Sequence, residues 1–86
     1  MTKRWFVYVL LNERGEAYTG VTYDETPDRR LEEHNGLKPG GAKYTRARRP
    51  WQLIYAETGF QGRSDAQVRE LQIKKDRKFK AKLKTP

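Results

Sequence analysis

The chain has 86 residues, with 19 Lys and Arg against 11 Asp and Glu, a net charge of +8, no cysteine and one histidine. That length holds one small domain. The absent thiols exclude disulfide staples and thiolate zinc sites, and a lone imidazole excludes a two-histidine metal cluster, so any bound metal would rest on oxygen ligands, as Mg²⁺ or Mn²⁺ does.

Trp5 to Leu11 is a run of β-branched, aromatic and aliphatic residues and is predicted as a strand. It resembles the apolar core of a signal peptide only superficially, because no small-residue cleavage site follows. No segment reaches the ~18 apolar residues that span a bilayer, so the cytoplasm is the expected compartment and no membrane partner is expected. Asn12-Glu-Arg-Gly15 is a turn signal. Glu16 to Val21 is predicted as a second strand, with Ala17, Thr19 and Val21 on one face and Tyr18 and Gly20 on the other. Together the two strands form an antiparallel hairpin.

Thr26-Pro27-Asp28 is a helix start, with threonine as cap, proline in the first position and an acid at the positive end of the dipole. The helix is expected to run to His34 and to end at Asn35-Gly36. Residues 36–50 form a Gly-, Pro- and Arg/Lys-rich loop without an acid. Trp51 to Ala56 is a third strand. Ser64-Asp-Ala-Gln67 has the capping-box form and opens a second helix, predicted to reach about Lys78. The order β-β-α-β-α gives an α+β fold, a small three-stranded antiparallel sheet with helices packed on it. The whole chain, 1–86, is read as one domain with a basic C-terminal tail from about 79. That tail is either a nucleic-acid contact or a solvated helix end.

The core is thin. Leu, Ile, Val and Phe supply 16 residues, which five Tyr and two Trp offset by the large area each buries. The positive excess points to a nucleic acid or another polyanion, the plain alternative being a basic protein with no such partner.

Elimination narrows the chemistry. There is no cysteine nucleophile. The single serine, Ser64, reads as a cap. The glycines match neither a phosphate-binding loop nor a dinucleotide fingerprint, so no small-molecule cofactor is expected. Tyrosine, arginine, His34 and carboxylates remain, a set suited to phosphodiester cleavage. Tyr8 and Tyr18 are expected roughly opposite each other on the hairpin arms. Arg30 and His34, four apart, share one side of a helix. Glu70 lies beside the apolar stripe of Ala66 and Ile73, as a metal ligand or as one half of a buried Glu–Arg pair.

Val7-Tyr8-Val9-Leu10, then Tyr18-Thr19-Gly20, then Arg30 with His34, resembles the GIY-YIG nuclease domain. The chain is similar above all to the small stand-alone bacterial proteins of that type. It shares their Arg29 to Asn35 run, their Ala42 to Pro50 loop, the Leu-Ile-Tyr strand that follows, and the Arg63 to Lys74 helix. The resemblance implies that Tyr8 and Tyr18 lie in an active site, with Tyr8 the usual candidate for general base, its pKa lowered by a nearby cation, Arg30 or a metal, and with His34 as the other candidate base or an orienting group. It implies that Arg30 contacts the scissile phosphate, that His34 is an active-site histidine, and that Glu70 holds one divalent cation. Gly20 would allow close backbone approach. Three departures stand out. The first tripeptide, Phe6-Val7-Tyr8, lacks its glycine. The stretch between Gly20 and Arg30 is longer than in the family, which would displace Arg30 and leave Arg29 as substitute. Gln67 replaces a leucine, which would weaken the packing of the second helix.

The function expected is therefore that of a metal-dependent DNA endonuclease with little sequence specificity. The alternative is a nucleic-acid-binding module of the same fold. Lys43, Arg46, Arg48, Arg49, Lys74 and Lys75 are expected along the phosphate backbone. Tyr44 is open between base stacking and loop packing, and Trp51 reads better as core.

Overall fold

The computed structural model describes residues 2–85. β1 (Arg4–Asn12) and β2 (Ala17–Asp24) form the predicted hairpin, followed by α1 (Asp28–His34), α2 (Lys43–Arg46), β3 (Trp51–Glu57), α3 (Arg63–Lys75) and α4 (Arg77–Lys84). The sheet is antiparallel throughout, in the order β2-β1-β3. This is the expected α+β architecture, with β1 as the central strand.

The position of β1 explains its sequence. Val7, Tyr8, Val9 and Leu10 are all buried, because helices cover both faces of the sheet. A strand buried on both sides needs no polar alternation. Val7 and Val9 point to one face, where Ala66 and Ile73 of α3 pack with Phe79 and Leu83 of α4. Tyr8 and Leu10 point to the other, against Trp51, Leu31, Leu53 and Tyr18.

The hairpin turn is held by Asn12, whose Oδ1 accepts the Arg14 and Glu16 amides at 3.1 and 2.9 Å. α1 ends as the sequence indicates. Gly36 adopts φ +81°, its amide donates to Glu33 O at 3.1 Å, and the Leu37 amide reaches Glu32 O at 2.9 Å. These are the paired bonds of a Schellman stop. Asn35 then clamps this helix end to β3. Its Nδ2 donates to Trp51 O at 2.9 Å, and its Oδ1 accepts the Trp51 amide at 2.6 Å.

Four sequence expectations need correction. β2 runs past Val21 to Asp24, because Thr22 and Tyr23 continue to pair with Phe6 and Trp5. The loop at 36–50 contains the single turn α2, which is too short to carry a readable period. Ser64 is not the cap of α3. The helix begins at Arg63 behind Gly62, with no side-chain cap bond, and the Gly62 carbonyl accepts the Ala66 amide at 3.2 Å. The second helix is also not continuous. It breaks at Asp76, whose carboxylate accepts the Phe79 amide at 2.9 Å and so starts α4. A fifth adjustment is small: α1 begins at Asp28 with Pro27 rather than Thr26 at the cap position, although Thr26 Oγ1 still accepts the Asp28 amide at 3.2 Å.

Candidate active site

A cleft of about 490 Å³ opens beside the hairpin. Tyr8, Tyr18, Arg30 and Glu70 all line it, although they come from β1, β2, α1 and α3. The hairpin register, centred on Arg14, sets the first two. It places Gly20 opposite Tyr8 and Leu10 opposite Tyr18, so the tyrosines are diagonal neighbours rather than directly opposite. Diagonal neighbours two residues apart still share a face, and the ring centroids are 6.5 Å apart. The Tyr8 ring lies across Gly20. A Cβ there would collide with the Tyr8 hydroxyl and come within 2.6 Å of Cζ. Glycine at 20 is what lets the phenol cross the β2 backbone.

His34 closes α1 and is fully buried. Its Nε2 lies 2.8 Å from the Tyr8 hydroxyl and its Nδ1 lies 2.7 Å from Thr45 Oγ1 on α2. It therefore sits behind Tyr8 and does not line the cleft itself. Burial, together with the Arg30 and Arg49 charges and against Glu33, pushes its pKa down to about 4. At neutral pH the ring is uncharged. Burial also pushes the Tyr8 phenol above its ordinary range. Arg30 pulls it back only in part, and Tyr18 and Glu70 add to the rise. Arg30 thus lowers this pKa as expected, but desolvation is the larger effect and the net shift is upward.

Arg30 is half-buried at the cleft wall, with Nη1 2.7 Å from Glu33 Oε1. Burial opposes its charge, but the Glu33 and Tyr8 contacts outweigh burial and raise its pKa. It is a fixed cation. Thr22 to Asp24 of the segment before α1 are absorbed into β2, and Arg30 stands at the cleft wall. Arg29 is not among the residues lining the cleft, its side chain 64 % exposed and 3.7 Å from Glu33.

Glu70 belongs to a helix packed on the sheet face opposite Tyr8, yet its carboxylate lines the same cleft. It pairs with Lys74, one turn on, at 3.5 Å, not with an arginine. Arg63 and Gln67 lie on the same helical stripe and also line the cleft. Gln67 is exposed, so its polarity takes nothing from the core and the expected weakening does not arise.

The basic segments divide. Lys43 and Arg46 stand exposed on α2. Tyr44 is 41 % exposed and stacks on Tyr18 at a centroid distance of 5.9 Å. Arg48 lies 4.0 Å over the Tyr44 ring and 3.6 Å from Glu16. Arg49 donates through Nε to His34 O at 2.7 Å. Lys75 is exposed at the end of α3. Trp51 is core, its indole N–H donating to Thr45 O at 2.9 Å.

The cleft has further walls that the sequence did not single out. Glu33, Arg63, Trp5 and Tyr23 line it as well, with the last two rings 4.9 Å apart. The spacing of Glu33 after Arg29 and Arg30 was a usable signal. Thr45 carried none.

Glu70 is the carboxylate in this cleft suited to a cation, because Glu33 is held by two arginines while Lys74 is half-exposed and can swing aside. Among the described residues no group of three or more His, Cys, Asp and Glu could hold a metal. A single carboxylate open to a cleft fits Mg²⁺, which keeps several waters and takes phosphate oxygens as its remaining ligands.

Residues 4–84 match the GIY-YIG catalytic domain. A UPF0213 protein of Desulfotalea psychrophila is 47% identical over 70 residues, covering 81% of this chain and 60% of that protein. A UPF0213 protein of Staphylococcus aureus is 42% identical over 69 residues, covering 80% of this chain and 78% of its own length. The structure-specific endonuclease subunit slx1 of Aspergillus terreus is 44% identical over 57 residues, 65% of this chain but 14% of that protein. This chain thus spans less than two thirds of the Desulfotalea and Aspergillus proteins. The solution NMR structure of a UPF0213 protein from Bacillus halodurans superposes with a TM-score of 0.51 at 36% identity, covering 93% of this chain and 81% of that one.

Proposed function

The chain belongs to the GIY-YIG family, and from that premise we propose that it is an endonuclease hydrolysing phosphodiester bonds in DNA, aided by one divalent cation, Mg²⁺ or Mn²⁺, and with little sequence specificity. The observation that carries this reading is the convergence of Tyr8, Tyr18, Arg30 and Glu70 on one cleft. Binding alone would not require two phenols, a fixed guanidinium and a cleft-facing carboxylate together. The relative named as a structure-specific endonuclease subunit supports nuclease chemistry.

Arg30 neutralises charge on the scissile phosphate, and its Glu33 bond keeps the guanidinium in place before substrate arrives. Glu70 would hold the cation, which supplies charge neutralisation at the phosphate and the leaving oxygen. Tyr8 takes a proton from the attacking water at its phenol oxygen and passes its own proton to His34 Nε2. The resulting hydroxide attacks phosphorus, the P–O bond to the leaving group breaks, and the leaving oxygen takes a proton from solvent. Burial makes both a free Tyr8 phenolate and a protonated His34 costly, so the relay draws on the negative charge of the bound phosphate, which favours the imidazolium as the water is deprotonated. Tyr18 orients the phosphate or the water from the same face. Lys43, Tyr44, Arg46, Lys74 and Lys75 flank the strand path, where charge gives affinity without sequence readout. Arg48 and Arg49 contribute less, being engaged with Tyr44, Glu16 and the His34 carbonyl.

The test is cleavage of a panel of duplex, single-stranded, flapped and branched DNA, with RNA beside it, in Mg²⁺, in Mn²⁺ and in chelator. Cleavage is expected only with a cation. It should be lost in Glu70→Ala and reduced about 10²-fold in Arg30→Ala. Cleavage that persists in Glu70→Ala would remove the metal assignment. Binding without cleavage on every substrate would leave a binding module.

A further inference from the structure

The relay just described works only if His34 Nε2 carries no proton when Tyr8 needs an acceptor. A neutral imidazole has one N–H, and its place is set by the partners of its two nitrogens. On one side stands Thr45. Its hydroxyl lies 2.7 Å from His34 Nδ1 and 2.9 Å from the Ala42 carbonyl. A carbonyl oxygen only accepts, so two oxygens at 2.9 Å need a proton between them, and only the hydroxyl can supply it. That carbonyl also takes the Arg46 amide at 3.1 Å, using its second lone pair. With its one hydrogen committed, Thr45 Oγ1 can only accept from the ring.

We infer that Thr45 is a positioning residue that holds His34 in the Nδ1–H tautomer, so that the bare Nε2 faces Tyr8 and receives its proton. The inference rests on the proposed nuclease reading for its purpose but not for its geometry. Thr45 and His34 are both fully buried, so water does not compete for the bond between them. The charged groups around the ring are Arg30, Glu33 and Arg49. Their balance with burial keeps the ring neutral, which is the condition for a single tautomer. α2 gains a reason to exist: one helical turn places the Thr45 hydroxyl over its own i−3 carbonyl, a bond that threonine makes readily in helices.

The chain has one histidine, so a nitrogen–proton correlation spectrum of the labelled protein contains a single imidazole. The unprotonated ring nitrogen is expected to correlate strongly with both carbon-bound ring protons, as Nε2 does. Strong correlation with one proton alone would identify it as Nδ1 and overturn the inference. That result would stand whether or not the protein cleaves DNA. Failure of the cleavage panel would instead fall on the nuclease reading. Thr45→Val keeps the shape but cannot accept a hydrogen bond. It is expected to shift the ring toward the Nε2–H form and to lower kcat about 10²-fold with KM little changed. Thr45→Ser should restore both the tautomer and the rate. A Thr45→Val protein that keeps the Nδ1–H form would show that Thr45 does not set the tautomer. If Thr45→Val does not fold, Thr45→Ala takes its place with the same two expected changes, and retention of the Nδ1–H form there would equally overturn the inference.

Discussion

His34 is uncharged in the folded protein because burial and two arginines oppose its protonation, lowering its pKa from 6.5 to about 4. In the unfolded chain it titrates normally. As pH falls from 6.5 toward 4, the unfolded state therefore takes up a proton that the folded state refuses, and stability drops, levelling off below 4. The ceiling on this loss is about 3 kcal/mol. Urea denaturation at a series of pH values should show the slope, and His34→Gln should flatten it in that window even if the variant is less stable throughout. Glu57 adds acid sensitivity at lower pH: against its own burial, the Arg69 and Tyr55 bonds hold its carboxyl below the ordinary range, so its contribution is lost as those bonds are protonated away. At this scale the sequence was partly legible. Arg30 and His34 fall on one side of α1 by helical period alone. The partner of His34 did not declare itself, because Thr45 reaches it from a separate turn.

Among the elements, α4 is where sequence and structure differ most. Its lysines read as a basic tail, yet Phe79 and Leu83, four apart, pack on the core beside Ile73. Phe79 meets Tyr55 edge-on at 5.1 Å and lies 5.5 Å from the Arg69 guanidinium. Arg69 in turn grips Glu57 on β3. The helix thus ties α3 to the outer strand while presenting its lysines to solvent. Phe79→Ala is expected to cost about 2 kcal/mol, less than a fully buried phenylalanine would. The midpoint of chemical denaturation should fall, with cleavage by the remaining folded protein little changed, since Phe79 is not among the residues lining the cleft. The apolar pair at 79 and 83 was visible in the sequence. The break at Asp76 was harder to see, because aspartate inside a charged helix gives no stop signal until its carboxylate is found capping the next turn.

For the molecule as a whole, the charge of +8 is the dominant long-range property. Among the described residues no helix is long and apolar enough to cross a membrane. Binding to DNA is expected to weaken steeply with salt, log K falling linearly with log salt concentration. Lys75→Gln should weaken binding evenly across sequences and reduce that slope by about 1. Fluorescence anisotropy at several salt concentrations measures both quantities. A slope unaltered by this substitution would place the strand path away from the end of α3.

The sequence by itself determined the sheet, the hairpin, the first helix with its glycine stop, and the family, because each of these is written in local signals: periodicity, turn chemistry and ordered short motifs. It also named Tyr8, Tyr18, Arg30, His34 and Glu70, on resemblance. Only the tertiary structure decided how they meet. The hairpin register put Gly20 under Tyr8, α1 brought Arg30 to the wall, and Glu70 came to the cleft from a helix on the other face of the sheet. Burial then set the pKa of Tyr8 upward and that of His34 downward. Desolvation and long-range hydrogen bonds depend on which segments pack together, and no local pattern along the chain encodes them.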